Sequence, residues 1–257
     1  MQPGELDRFV DEHLTVAAVM VPIAEPLPAQ MHAEEARGEL QRNEFDLALV
    51  DDERLEIVML KRLKQLKMRA ELERPVREFA ESPQRDRLIE ASLPIRQVVG
   101  RLMHRTDPLL VVGATGITHI VTVADFAGVA GTAVVLSFVL AVDRGLNQLL
   151  STHADKAVDA VGDKERVEAD ERRRRAETEG AALELIDYLS MGARFRALRA
   201  LGLHREHQLG DVEEHRLLLR VRNQAAHHGL ADPDEALRAV ATAEWMLQRL
   251  TAAGSAD

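Results

Sequence analysis

The chain has 257 residues, 46% of them apolar, which suffices for one large or two ordinary cores. It contains no cysteine, which excludes disulfide staples, thiolate metal sites and cysteine nucleophiles and suits a reducing cytoplasm. With 33 basic and 43 acidic side chains the formal charge is −10, which argues against a general nucleic-acid coat protein and against DNA as a partner.

The opening stretch MQPGELDRFVDEHL has neither a basic leader nor an apolar run, so the expectation is a cytoplasmic protein without a secretory signal. PLPAQ (26–30) is short and extended, and MHAEEARGELQRN (31–43) has helical composition. FDLALVDD and RLEIVML are apolar runs around an acidic turn, which predicts a hairpin. KRLKQLKM returns to helical spacing, and a linker with Pro75 and Pro83 follows. The pattern then recurs: RLIEA as a strand, LPIRQVVGRLMH as a helix opened by a proline, PLLVV as a strand. GATG is a turn, ITHIVT a strand, and VADFAGVA begins a helix. GATG lacks the G-x-x-x-x-G-K-[ST] pattern and sits between two strands, so it reads as a hairpin turn and not as a phosphate loop. Residues 1–129 are therefore an α+β domain of two strand–helix–strand–strand–helix repeats, about 14–70 and 86–129, with a cleft between them.

From residue 130 helical periodicity takes over, predicting an all-α bundle over 130–257. The uncharged stretch Phe126 to Val142 is short of the roughly 20 residues a membrane span needs and lacks basic anchors, so a buried or interface helix is expected and no membrane contact. DKAVDAVGDKERVEADERRRRAETE predicts one long solvated helix or connector, about 155–179, sustained by pairs such as Glu168 with Arg172. AALELIDYLSMGARFRALRALG reads as a further helix. Asp211 with Glu214 and Asp232 with Glu235 fit capping boxes, with Pro233 at a first helical position. These place helices at about 212–228 and 233–252, the first ended by Gly229.

In the front half, LTVAAVM, the order of elements in both repeats and above all HIVTVADF make the chain resemble a tandem cystathionine-β-synthase (CBS) domain pair. That resemblance implies a ligand site at Thr122 and Asp125, directly after the last strand. A carboxylate there would accept the ribose hydroxyls of an adenine-type nucleotide, as a regulatory ligand and not a required cofactor, while the hydroxyl and free backbone N–H groups would suit phosphate. T-x-x-D is also a plain helix cap, and that reading stays open. In the first repeat Met59 and Arg62 stand at the matching places, so that site is expected to be altered.

In the back half, LRVRNQAAHHG carries R-x4-H late in a helix, with a polar residue after the arginine, and resembles a HEPN domain. Between Arg194 and His228 seven arginines and five histidines face four acids, a weak pointer to an anionic ligand. The resemblance implies a homodimer acting on RNA as a metal-independent endoribonuclease through Arg222, Asn223 and His227. Histidine would handle the proton and arginine the phosphorane charge, with Asn223 orienting either. At about 100° per residue Asn223 and His227 lie about 40° apart around the helix, but Arg222 and His227 about 140°, so one helix cannot converge both on a phosphate. Two copies across a dimer axis could. The competing reading is a noncatalytic binding or dimerisation module, in which His227 and His228 only complement the helix dipole. His204 and His207 form H-x-x-H without a third ligand at matching spacing, so no metal site is expected.

Overall fold

Leu47, Ala48, Leu49 and Val50 are all buried, which is why the sequence there is continuously apolar instead of alternating: their strand is covered on both faces. The computed structural model describes residues 12–51, 56–105, 107–114, 116–180, 183–227 and 229–254. They form two compact units that interleave along the chain, one from Met20–Leu93 and Thr106–Thr122, the other from Met1–Val19, Pro94–Arg105 and Val123–Asp257.

The mixed unit contains β1 (Val21–Pro22), β2 (Leu27–Pro28), α1 (Ala33–Arg42), β3 (Leu47–Asp51), β4 (Glu56–Met59), the one-turn helices α2 (Leu60–Leu63) and α3 (Arg69–Leu72), β5 (Leu88–Glu90), β6 (Leu109–Gly113) and β7 (Gly116–Val121). Its strands make two sheets, ordered β2-β3-β4 and β1-β7-β6-β5. In the first, β2 runs parallel to β3 and β3 antiparallel to β4. In the second, β5 runs parallel to β6 and β6 antiparallel to β7. The strand pattern expected of the repeat is thus present twice, with β1 added to the edge of the second sheet against β7. Because strand side chains alternate, β3 and β4 serve two cores. Ala48, Val50 and Val58 pack with Ala36, Leu40 and Leu63, while Leu47, Leu49, Ile57 and Met59 meet Leu110 and Ile117 of the other sheet.

Both expected hairpins are paired, although the acidic turn at 52–55 and Thr115 of GATG lie outside the described residues. Gly116 has φ +117°, a conformation that favours glycine. KRLKQLKM forms only one helical turn, because after Leu63 no buried residue holds a second.

The helical unit contains α4 (Ile95–Leu102), a 3₁₀ turn at Val123–Phe126, α5 (Val129–Ser151), α6 (Ala154–Asp159), α7 (Asp163–Thr178), a 3₁₀ turn at Leu185–Tyr188, α8 (Met191–Ala200), α9 (Leu203–Glu206), α10 (Val212–His227) and α11 (Pro233–Gly254). Helix α5 is its centre and packs on α8, α10 and α11. By length and composition alone α5 could cross a membrane, but Val134, Val135, Phe138, Val139, Val142, Leu146 and Leu150 are the buried core of this unit. Asp143 of α5 binds the buried Arg194 of α8 at 2.7 Å, and Arg194 also donates to the Asp187 carbonyl at 2.8 Å. Asn147 closes the group by donating to the Asp187 carboxylate at 2.6 Å.

Two helices expected as continuous are divided. The charged segment breaks between Asp159 and Asp163, where Val161 turns inward to be buried and Gly162 begins α7. Within α7 the Glu168–Arg172 pair forms at 3.3 Å. In the next segment the side chain of Ser190 accepts from the Ala193 N–H at 3.2 Å, so α8 starts there and the preceding residues form only a 3₁₀ turn. The caps at Asp211 and Asp232 are where expected. Asp211 and Glu214 close a reciprocal box, with the Asp211 N–H donating to Glu214 at 2.8 Å and the Glu214 N–H to Asp211 at 3.0 Å. Asp232 accepts from the N–H groups of Asp234 and Glu235, while the Glu235 carboxylate turns to Arg220 of α10 at 2.6 Å. Gly229, φ +75°, follows the end of α10.

Candidate functional site

Thr122 directly follows β7, and Asp125 lies in the 3₁₀ turn ahead of α5. Both are half-buried, and the division between the two units falls between them. Phe126 anchors the turn with no exposed surface. Gly131, in the first turn of α5, lies so close to this segment that a Cβ would stand 2.1 Å from the Asp125 carbonyl oxygen and 2.4 Å from the Phe126 Cα. The Asp125 turn and the central helix of the bundle therefore share a joint with no slack, and this close approach is what requires a glycine at 131.

The matching positions of the first repeat are filled by the chain's own side chains. Met59 is buried, with its sulfur 3.9 Å from Arg87 Nη2. Arg87 is itself buried and donates to the Pro108 carbonyl at 3.2 Å, and Arg62 is paired with Glu81 at 3.1 Å.

Helix α10 is continuous to His227, so the angular spacing inferred from the sequence applies. Its inner face carries the buried Leu217, Leu218 and Val221, while Arg222, Asn223 and His227 are exposed. Arg222 Nη1 donates to the side-chain oxygen of Asn223 at 3.1 Å, which brings those two together on one exposed flank. His228 lies outside the described residues.

The other end of α10 holds a constellation that the sequence reading did not single out. His215 is 1% exposed, and its ring stacks on Phe195 of α8 with centroids 4.0 Å apart. Its Nε2 lies 2.8 Å from the Leu209 carbonyl, and its Nδ1 lies 3.0 Å from Arg199 Nη1. A carbonyl only accepts and a guanidinium only donates, so the ring is the neutral tautomer with the proton on Nε2. Burial pushes its pKa below the ordinary histidine value, outweighing the favourable Leu209 carbonyl, and the charge of Arg199 pushes the same way. The only sequence signal was a histidine three residues before Leu218, on the apolar stripe of the helix.

This arrangement predicts a pH dependence. Above about pH 6.5 His215 is neutral folded or unfolded and contributes no pH-dependent term. As pH falls below that value the unfolded chain takes up a proton that the folded chain resists, so stability declines, by at most about 1.4 kcal/mol per pH unit for one proton. His215→Gln keeps a donor and an acceptor without titrating. Denaturant unfolding between pH 5 and 7 should show a flatter slope in the variant, and an unchanged slope would contradict the assignment.

No family model matches the sequence, and no curated protein matches it. Similar solved structures include the CBS domain of a bacterial CNNM/CorC family Mg2+ transporter in complex with ATP, 17% identical, covering 48% of this chain and 91% of that one with a TM-score of 0.37. A CBS domain protein from Pyrobaculum aerophilum complexed with AMP is 19% identical and covers 44% of this chain and 89% of that one, with a TM-score of 0.34. A protein from Methanocaldococcus jannaschii is 15% identical and covers 83% of this chain and 99% of that one, with a TM-score of 0.41.

Proposed function

We propose that the chain is a nucleotide-sensing regulatory protein. In this reading an adenine-type nucleotide is held at Thr122 and Asp125, and its binding is transmitted through α5 to a dimeric, HEPN-like helical unit that cleaves RNA without a metal. The observation that carries the regulatory part is the joint at Gly131. A ligand that repositions Asp125 cannot do so without shifting α5, on which α10 is packed. Such coupling requires the ligand to prefer one arrangement, typically by about 1–3 kcal/mol. The cleavage part follows from the R-x4-H resemblance and needs a second copy to bring His227 opposite Arg222.

A second reading has its own support. Arg222 is engaged by its neighbour Asn223 on an exposed helix flank, as in a noncatalytic binding or dimerisation module.

Two measurements test the proposal. AMP, ADP or ATP at about one hundred times its dissociation constant should stabilise the protein by about 2.7 kcal/mol in thermal melts, and Asp125→Ala should abolish the shift. Unchanged melting with all three nucleotides, or a full shift in Asp125→Ala, refutes the nucleotide site. Structured RNA incubated in chelator should be cut by the wild type and left intact by His227→Ala. No cutting by either protein returns the helical unit to the noncatalytic reading.

A further inference from the structure

Beside His215, within the helical unit, lies a concavity of about 590 Å3, within the size range of small-ligand pockets, lined by Arg199, His204, Arg205, Gln208 and Trp245 together with Asp211 and Glu214. Several arginines of the helical unit are paired with a carboxylate: Arg194 with Asp143, Arg196 with Glu165, Arg216 with Glu213 and Arg220 with Glu235. Among the described residues neither Arg199 nor Arg205 is paired with a carboxylate. The two acids on the wall are already engaged, Asp211 by the backbone N–H groups of Glu213 and Glu214, and Glu214 by that of Asp211. Those bonds hold the Asp211 carboxyl below its usual range, so it stays ionised and committed to the helix cap.

The rest of the polar wall is Arg199, Arg205, His204 and Gln208. His215, buried and neutral, accepts from Arg199 and thereby fixes the guanidinium at the rim. His204 Nδ1 is shielded from solvent and has no hydrogen-bond partner among the described residues. Gln208 is held at φ +52°, one of two non-glycine residues in the left-handed region among those described, a conformation that costs of order 1 kcal/mol and clusters at ligand-contacting loops. The indole of Trp245 supplies a flat flank, with the Arg249 guanidinium 4.1 Å from its ring centroid.

We propose that this concavity binds the phosphate group of a small phosphorylated ligand, received by Arg199, Arg205 and His204 beside Trp245. The site is separate from the Thr122 and Asp125 position, and does not depend on the function proposed above. Two guanidiniums without a carboxylate partner match the charge and donor demand of a phosphate, and arginine is the side chain suited to bind it through two N–H groups at once.

Trp245 is the chain's single tryptophan, so its fluorescence reports on this wall directly. Tryptophan fluorescence titrations of full-length Asp125→Ala, in which the nucleotide position proposed above is disabled, should show saturable binding of inorganic phosphate and of AMP, and none of adenosine. In that background Arg205→Gln, at an exposed residue without a carboxylate partner among the described residues, should raise both midpoints at least tenfold, as should Arg199→Gln, and the phosphate midpoint of Asp125→Ala itself should match that of the wild type. Circular dichroism melts establish that Arg199→Gln, which loses its contact to His215, is folded at the titration temperature; if it is not, Arg205→Gln alone decides. No fluorescence change with phosphate overturns the proposal. So do an unaltered midpoint in Arg205→Gln, adenosine binding as well as AMP, or loss of the phosphate response in Asp125→Ala.

Discussion

Replacing Asp143 by alanine is expected to remove about 3–5 kcal/mol from the stability of the helical unit. The loss is not the value of an ion pair as such, since burying two charges costs nearly as much as their attraction returns. It arises because Arg194, with 8% of its side chain exposed, would keep its charge in the core with only the Asp187 carbonyl as partner. Asp143 is itself only 24% exposed, so water screens little of the effect. Asp143→Asn retains an acceptor for Arg194 and should recover part of the loss. Trp245 belongs to the same unit, which makes urea unfolding followed by tryptophan fluorescence the suitable measurement. A loss below about 1 kcal/mol in Asp143→Ala would place this pair with exposed surface pairs and remove its role in joining α5 to α8.

Gly131→Ala is expected to destabilise the protein by about 1–3 kcal/mol and to uncouple Asp125 from the bundle. The sign is the informative part. In an ordinary helix glycine to alanine is worth up to about 1 kcal/mol of added stability. Here the new methyl would stand 2.1 Å from the Asp125 carbonyl oxygen, and backbone on both sides cannot yield as a flexible side chain would. Gly128→Ala is the internal control, since its Cβ would meet the same oxygen at 3.4 Å and its φ is −67°. Gly128 is the N-cap of α5, where alanine itself costs some cap stability, so thermal melts should show both variants destabilised and Gly131→Ala clearly the more so. If Gly131→Ala is as stable as Gly128→Ala, the joint has slack. Any nucleotide response would then have to reach α10 by another route.

Much of this arrangement is written in local sequence. The doubled strand pattern is legible because each strand is a short apolar run bounded by turn residues, and strand pairing then follows from a hairpin's tight turn. The boundaries of α10 and α11 are legible because Asp211, Glu214, Asp232 and Gly229 act within a few residues of themselves. The breaks at Gly162 and Ser190 were less so. Both segments have helical composition throughout, and only burial of Val161 and the Ser190 cap decide where helix stops and starts. Of the candidate site residues, Thr122, Asp125, Arg222, Asn223 and His227 could be picked out because motif spacing survives without a structure. Arg199 and Trp245 could not, and His204 stood out only in the H-x-x-H spacing set aside as a metal site, since the three come from separate helical segments.

By itself, then, the sequence determined the element types, the repeat in the front half, the helical character of the back half and the helix caps, because each depends on interactions within about one turn or one hairpin. Only the tertiary structure decided that Pro94–Arg105 belongs with the C-terminal helices, that Asp143 meets Arg194, that His215 is buried against Phe195, and that Gly131 abuts Asp125. The physical reason is the same in each case. A buried contact is selected by close packing and by the need to satisfy charge away from water, and neither condition leaves a periodic trace in the chain.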